Sequence, residues 1–216
     1  MRAPRLQAVL FDWDGTLVNT AEASYRCYEK LFGSYGIAFD RDAFRRTYSP
    51  NWHLTYSALG LAEERWAEAD ARWLEHYGEE EVALIEGAPD ALRRVRGAGL
   101  RAGLVTSGDR LRVSRELAGL GVAALFDVLV CAEDTVRRKP HPEALLLALE
   151  RMRLSPGEAV YVGDSPEDVQ MAQAAGVTAV GVPGGFPNRE SLAAARPDVL
   201  EASLARALDR VLGPLS

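Results

Sequence analysis

Five short apolar runs set the tightest limit on how this chain can fold: 8–11 (AVLF), 102–105 (AGLV), 128–131 (VLVC), 159–162 (AVYV) and 177–182 (VTAVGV). Runs that stay apolar without alternating read as strands covered on both faces. Helical patterns lie among them at 89–97, 109–119, 142–152 and 166–175, several closed by glycine at Gly97 and Gly99, Gly119 and Gly121, and Gly176. Strand alternating with helix implies a parallel sheet with right-handed crossovers, an α/β Rossmann-like core. The stretch RPDVLEASLARALDRVL, 196–212, adds one further short strand and a closing helix.

The rhythm breaks once. The first strand ends near Asp12, and the next buried strand begins only near Arg101. The interval carries helical patterns at Ala21–Phe32, Arg41–Tyr48, Trp52–Leu59 and Ala62–Tyr77. Its many aromatics, Tyr25, Tyr28, Phe32, Phe44, Tyr56 and Trp73 among them, suit a small bundle of its own. We therefore expect an inserted α-helical domain at 18–84, with 1–17 and 85–216 forming the α/β core.

Composition narrows the partners. A formal charge of −6 and the absence of any dense Lys/Arg block leave no field to attract nucleic acid or an anionic membrane. No apolar run approaches the roughly 18 residues of a membrane span. Cys27 and Cys131 stand far apart without CxxC spacing, which suggests neither a disulfide framework nor a zinc site and fits a reducing cytoplasm. The expected partner is a small molecule, bound by a monomer or homodimer. An anionic substrate needs local cations, and because Lys30 and Lys139 are the only lysines, Lys139 draws notice beside Pro140.

In open parallel sheets ligands bind beyond the carboxyl ends of the strands. Asp12 and Asp14 follow the first strand, Thr106 and Ser107 the second, and Asp164 the fourth, while Lys139 follows the third by a loop. Three carboxylates at adjacent strand tips repel one another unless a cation joins them. All-oxygen ligation favours Mg²⁺, which takes further contacts from phosphate oxygens. A lysine and a hydroxyl then complete a cradle for a phosphoryl group. One carboxylate is a competent nucleophile toward phosphorus, and a second can serve as general acid and base.

The ordered set DWDGTL, LVTSG, KP and GDSPEDV resembles the four signature motifs of the haloacid dehalogenase superfamily, over nearly the whole chain. The helical insertion after the first motif is similar to that family's small α-helical cap, and the run after Gly163 looks most like the phosphoglycolate phosphatase-like branch. The resemblance implies that Asp12 is the nucleophile that forms an aspartyl-phosphate and that Asp14 protonates the leaving oxygen and then activates water. It implies that Asp12, the backbone carbonyl of Asp14 and Asp164 hold Mg²⁺, with Asp168 in or beside that shell. Asp14, Thr106, Ser107 and Lys139 would bind the phosphoryl group, and Lys139 would also orient Asp12. Ser165, Pro166 and Asp168 equally make a good helix start, so Asp168 has two candidate duties.

Two features depart from the family pattern. Asn19-Thr20 stands where many relatives carry Asp-Ser, keeping a helix-capping start but altering its charge. The stretch TYSPNWH takes the place of a specificity loop that often contains glycine. Arg45, Arg46, Tyr48, Asn51, Trp52 and His53 are the candidate substrate readers, with a 2-phosphoglycolate-like ester as the expected substrate. Intact Asp14 argues against the dehalogenase branch, and Gly15-Thr16 leans toward hydrolysis over sugar phosphomutase chemistry. Pyrophosphate hydrolysis and a receiver-like phospho-aspartate signalling module are the other readings.

Overall fold

The computed structural model describes residues 5–213; the outermost residues of the expected core, 1–4 and 214–216, lie outside that range. The chain runs β1 (Ala8–Phe11), β2 (Val18–Asn19), α1 (Ala21–Ser34), α2 (Arg41–Thr47), α3 (Trp52–Ala58), α4 (Trp66–Tyr77), β3 (Ala83–Leu84) and α5 (Ala88–Gly97). It continues through β4 (Arg101–Val105), α6 (Arg110–Gly119), β5 (Val128–Val130), α7 (Glu143–Met152) and β6 (Ala159–Gly163). It closes with α8 (Pro166–Ala174), β7 (Thr178–Gly181), α9 (Arg189–Ala194), β8 (Val199–Leu200) and α10 (Leu204–Leu212).

Six strands form one sheet in the order β5-β4-β1-β6-β7-β8, with every pairing parallel. The unbroken apolarity of β1 follows from its central place. Val9 and Phe11 point into one core layer with Leu92 and Leu208, while Ala8 and Leu10 point into the other with Leu145 and Met171. The fold is the α/β Rossmann-like sheet that the apolar runs imply. The short helix α9 is an addition, carried by a segment with no strong periodic signal.

The register decides where the polar residues emerge. Phe11 lies opposite Leu104 on one side and Val162 on the other, so Asp12 leaves the sheet beside the ends of β4 and β6. The chain order reverses at β1, which places this point at the switch of the sheet.

Helices α1–α4 are inserted between β1 and β4, entered and left through the antiparallel pair β2–β3. Tyr25, Tyr28, Phe32, Phe44 and Tyr56 pack together as expected, but the cluster is not closed on itself: Phe186, from the loop after β7, joins it. Tyr48 stacks on Phe186 with ring centroids 4.3 Å apart. Thr20 corrects the expected capping start of α1, since its side chain makes no cap bond and its hydroxyl is buried without a partner. Thr20 adopts helical dihedrals where a capping side chain needs extended ones. Among the described residues no helix is long and apolar enough to cross a membrane.

Candidate active site

The tip of β1 turns sharply. Gly15 takes φ +82°, and the Gly15 amide donates to the Val18 carbonyl at 2.9 Å. A side chain at Gly15 or Gly184 would collide with the Asp164 carboxylate, so both glycines leave room for it. Gly184, in the VPGGF loop, carries no motif signal.

Lys139 is buried and gives all three of its hydrogens to the protein. Its Nζ donates to Asp12 Oδ1 at 2.6 Å, Asp168 Oδ1 at 2.7 Å and the Tyr161 hydroxyl at 2.7 Å. The Tyr161 hydroxyl reaches the Val105 carbonyl at 2.9 Å, tying Lys139 back to β4. As the side chains stand, Lys139 orients Asp12, and a phosphoryl oxygen would have to displace one of these acceptors. Tyr161 reads in the sequence as a core residue of β6, because only its hydroxyl reaches the site.

Asp168 caps its helix and also reaches Lys139. Its Oδ2 accepts from the Ser165 amide and hydroxyl while Ser165 Oγ accepts from the Asp168 amide, a reciprocal cap on α8. Its Oδ1 holds Lys139. Thr106 Oγ1 accepts from the Gly108 amide at 3.0 Å, and Asp109, rather than Thr106 or Ser107, caps α6.

Carboxylate oxygens of Asp12, Asp164 and Asp168 lie within 4.8 Å of one another, all buried. Asp164 Oδ2 is buried without a partner. Burial, then the charges of Asp168 and Asp12, push the Asp164 carboxyl well above the usual carboxylate range. Burial likewise raises Asp12 to about 7, against the pull of the Lys139 ammonium. For Lys139, burial acts downward, but Asp12 and Asp168 outweigh it and raise the ammonium. An orphaned oxygen in a buried acidic cluster is what an oxygen-seeking divalent cation would satisfy. Asp12 and Asp164 fit that duty best, because both oxygens of Asp168 are already engaged.

Asp14 lies at the opening, held by a residue that no motif marks. Arg112 of α6 donates to both its oxygens, at 3.0 and 2.6 Å. Glu116, one turn on, takes a further bond from Arg112 and one from Trp13 Nε1. The Arg112 guanidinium stands 4.9 Å from the ring centroid of Tyr77, the last residue of α4. A planar fork of this kind matches a carboxylate bidentately.

Asp12, Asp14, Ser107 and Asp164 line a cavity of about 340 Å³ roofed by Tyr48, Trp52 and Trp73 from the inserted helices. Four of the six expected readers sit elsewhere. Arg45 is exposed and paired with Asp42, and Arg46 is exposed, because that face of α2 points away from the buried Ala43 and Phe44. His53 stacks on Trp66 and meets Asp70, and Asn51 stands at the start of α3 outside the lining. Arg138, absent from the expected set, lines the cavity instead.

Comparison with known proteins adds four likenesses. A family model described as haloacid dehalogenase-like hydrolase matches residues 9–182. The chain is 30% identical to the pyrophosphatase PpaX of Bacillus pumilus over 93% of its own length and 94% of the relative's. It is 32% identical to a phosphoglycolate phosphatase of Yersinia pseudotuberculosis, covering 95% of this chain and 93% of that one. The crystal structure of CbbY from Rhodobacter sphaeroides in complex with xylulose-1,5-bisphosphate superposes with a TM-score of 0.79 at 26% identity, covering 93% of this chain and 95% of that one.

Proposed function

The chain belongs to the haloacid dehalogenase-like hydrolase family and is a phosphatase; from that premise we propose that it hydrolyses a small organic phosphate monoester, with Mg²⁺, through an aspartyl-phosphate. The observation that carries the reading is Asp12, fastened through Oδ1 to a buried lysine while its side chain lines an open cavity two residues from a second carboxylate. The compounds named for the three relatives, phosphoglycolate, pyrophosphate and a sugar bisphosphate, each carry a second anionic group besides one phosphoryl group. We carry that chemistry over as the substrate class, with 2-phosphoglycolate the first compound to test. The helices α1–α4 act in this proposal as a cap over the cavity, within the boundaries 18–84.

A carboxylate oxygen of Asp12 attacks phosphorus, the bond from phosphorus to the ester oxygen breaks, and Asp14 gives that oxygen its proton. Asp14 then takes a proton from water as the water attacks the aspartyl-phosphate, whose bond to Asp12 breaks to release inorganic phosphate. Arg112 suits the second half, since a guanidinium pairs best with an ionised carboxylate, and its grip must loosen for the first. Asp12 and Asp164 would hold Mg²⁺, which when bound offsets the negative charge gathered around the phosphoryl group. Asp168 keeps Lys139 in place.

Asp12→Asn abolishes covalent phosphate on the acid-quenched protein, whereas Asp14→Asn retains it and loses the roughly 10²–10⁴-fold that general acid and base assistance supplies. Wild-type levels of phosphoenzyme in Asp12→Asn would assign the nucleophile elsewhere. Steady phosphate release beyond one equivalent separates turnover from receiver-like occupancy. Pyrophosphate and glucose 1-phosphate in the same panel test the pyrophosphatase and phosphomutase readings.

A further inference from the structure

We propose that Arg138 is the specificity-determining residue that receives the second anionic group of the substrate, with Trp52 holding its guanidinium in place; this rests on the phosphatase reading above.

The cavity is lined by carboxylates, Asp12, Asp14, Asp70 and Asp164 among them, and by two guanidiniums, Arg112 and Arg138. A substrate whose phosphoryl group sits at Asp12 brings its other negative charge into this acidic enclosure, and one of the two arginines has to meet it. Arg112 is committed. Its side chain is 10% exposed, paired bidentately with Asp14 and bonded to Glu116. Arg138 is half-buried, and among the described residues it has no carboxylate within ion-pair distance. One of its terminal nitrogens, Nη1, is buried with no hydrogen-bond partner. A buried donor left in that state is costly, and an incoming oxygen anion removes the cost.

The group is also held ready. The guanidinium carbon of Arg138 lies 3.9 Å from the centroid of the Trp52 ring, and Trp52 Nε1 is anchored to Asp70 at 2.6 Å. Stacking fixes the plane of the guanidinium, so little freedom is lost when its edge meets a carboxylate or a phosphate. Burial lowers the proton affinity of Arg138, against the opposing charges of Asp70 and Glu133, neither of which is within ion-pair distance. Arg138 immediately precedes Lys139, whose Nζ touches the nucleophile, and both Arg138 and Asp12 line the same cavity. A cavity of about 340 Å³ suits a small molecule. In the sequence Arg138 belongs to a short basic run, VRRKP, that reads as exposed loop.

A purely structural role is the competing account: Arg138 clasps Trp52 and so holds the inserted helices against the sheet. The two differ in which ligands suffer. In the full chain carrying Asp12→Asn to prevent turnover, with Mg²⁺ present, calorimetry gives the dissociation constants of 2-phosphoglycolate, pyrophosphate and 2-hydroxyethyl phosphate before and after Arg138→Gln or Arg138→Lys. Arg138→Gln weakens 2-phosphoglycolate and pyrophosphate by about 10-fold or more relative to 2-hydroxyethyl phosphate, the scale of a charge-assisted hydrogen bond, and Arg138→Lys recovers part of it. Loss for only one of the two shows whether carboxylate or phosphate is the preferred second group. Equal loss for all three ligands, no loss, or a parent that binds 2-phosphoglycolate no better than the neutral ester overturns the assignment. Hydrolysis by the wild-type chain decides the phosphatase reading separately, because binding is measured without turnover.

Discussion

Arg112 grips both oxygens of Asp14 from the first turn of α6, and the grip has kinetic consequences. On the proposed mechanism, removing it leaves the carboxylate in place but free to turn, so proton transfer by Asp14 loses alignment while attack by Asp12 does not. Arg112→Gln should lower kcat for an alkyl phosphate by about 10-fold or more, and by much less for a nitrophenyl phosphate whose leaving group needs little protonation. Equal losses on the two substrates would show that Arg112 does not act through Asp14. Nothing in the sequence separates Arg112 from its neighbours Arg110 and Arg115, because its role depends on which face of α6 meets the tip of β1. Asp12, Asp14 and Lys139 could be read, since their types and order carry chemistry without coordinates. The two cysteines are buried free thiols, each pushed up to about 12 chiefly by burial, and take no part.

At the scale of elements, the site depends on how closely two loops approach the end of β6. Asp164 follows β6, and the turns holding Gly15 and Gly184 close over its carboxylate with no space for a β-carbon. Gly184→Ala should therefore displace Asp164 or its neighbours, weakening Mg²⁺ binding several-fold and costing about 1–3 kcal/mol of stability. Mg²⁺ titration by calorimetry and urea unfolding check the two effects; unchanged Mg²⁺ affinity would show that the loop yields without moving the ligand. The reciprocal cap of Ser165 and Asp168 shows a local signal and a distant one using one residue. The cap is visible in Ser-Pro-Glu-Asp, whereas the bond to Lys139 requires the loop after β5 to cross the end of β6.

For the whole molecule, the buried acids couple stability to pH and to metal. Asp12 rises from 3.8 to about 7, and Asp164 also rises, both chiefly through burial. The native state then binds more protons than the unfolded chain between those limits, so their contribution is lost as pH climbs from about 4 through about 7. Mg²⁺ held at Asp12 and Asp164 as proposed would bind the ionised forms and oppose that loss. The rise in Tm on adding excess Mg²⁺ should thus be larger near pH 8 than near pH 5, by a few degrees for a chain of this size. A Tm increment that is flat, or larger in acid, would place the cation away from Asp12 and Asp164.

The sheet, its helices and the helical insertion could all be read from the sequence, because burial on both faces of a strand and on one face of a helix leaves periodic patterns in the residues themselves. The positions of the candidate residues at the strand ends could be read as well, since the carboxyl edge of a parallel sheet gathers them wherever they stand in the chain. Only the tertiary structure decided which cations serve them. Arg45 and Arg46 lie in a segment that does roof the cavity, yet their helix turns them to solvent, while Arg138 enters from a loop that looks exposed. A side chain's direction depends on the rotation of its element and on what packs against it, and those come from contacts between residues as far apart as Trp52 and Arg138, which no local pattern encodes.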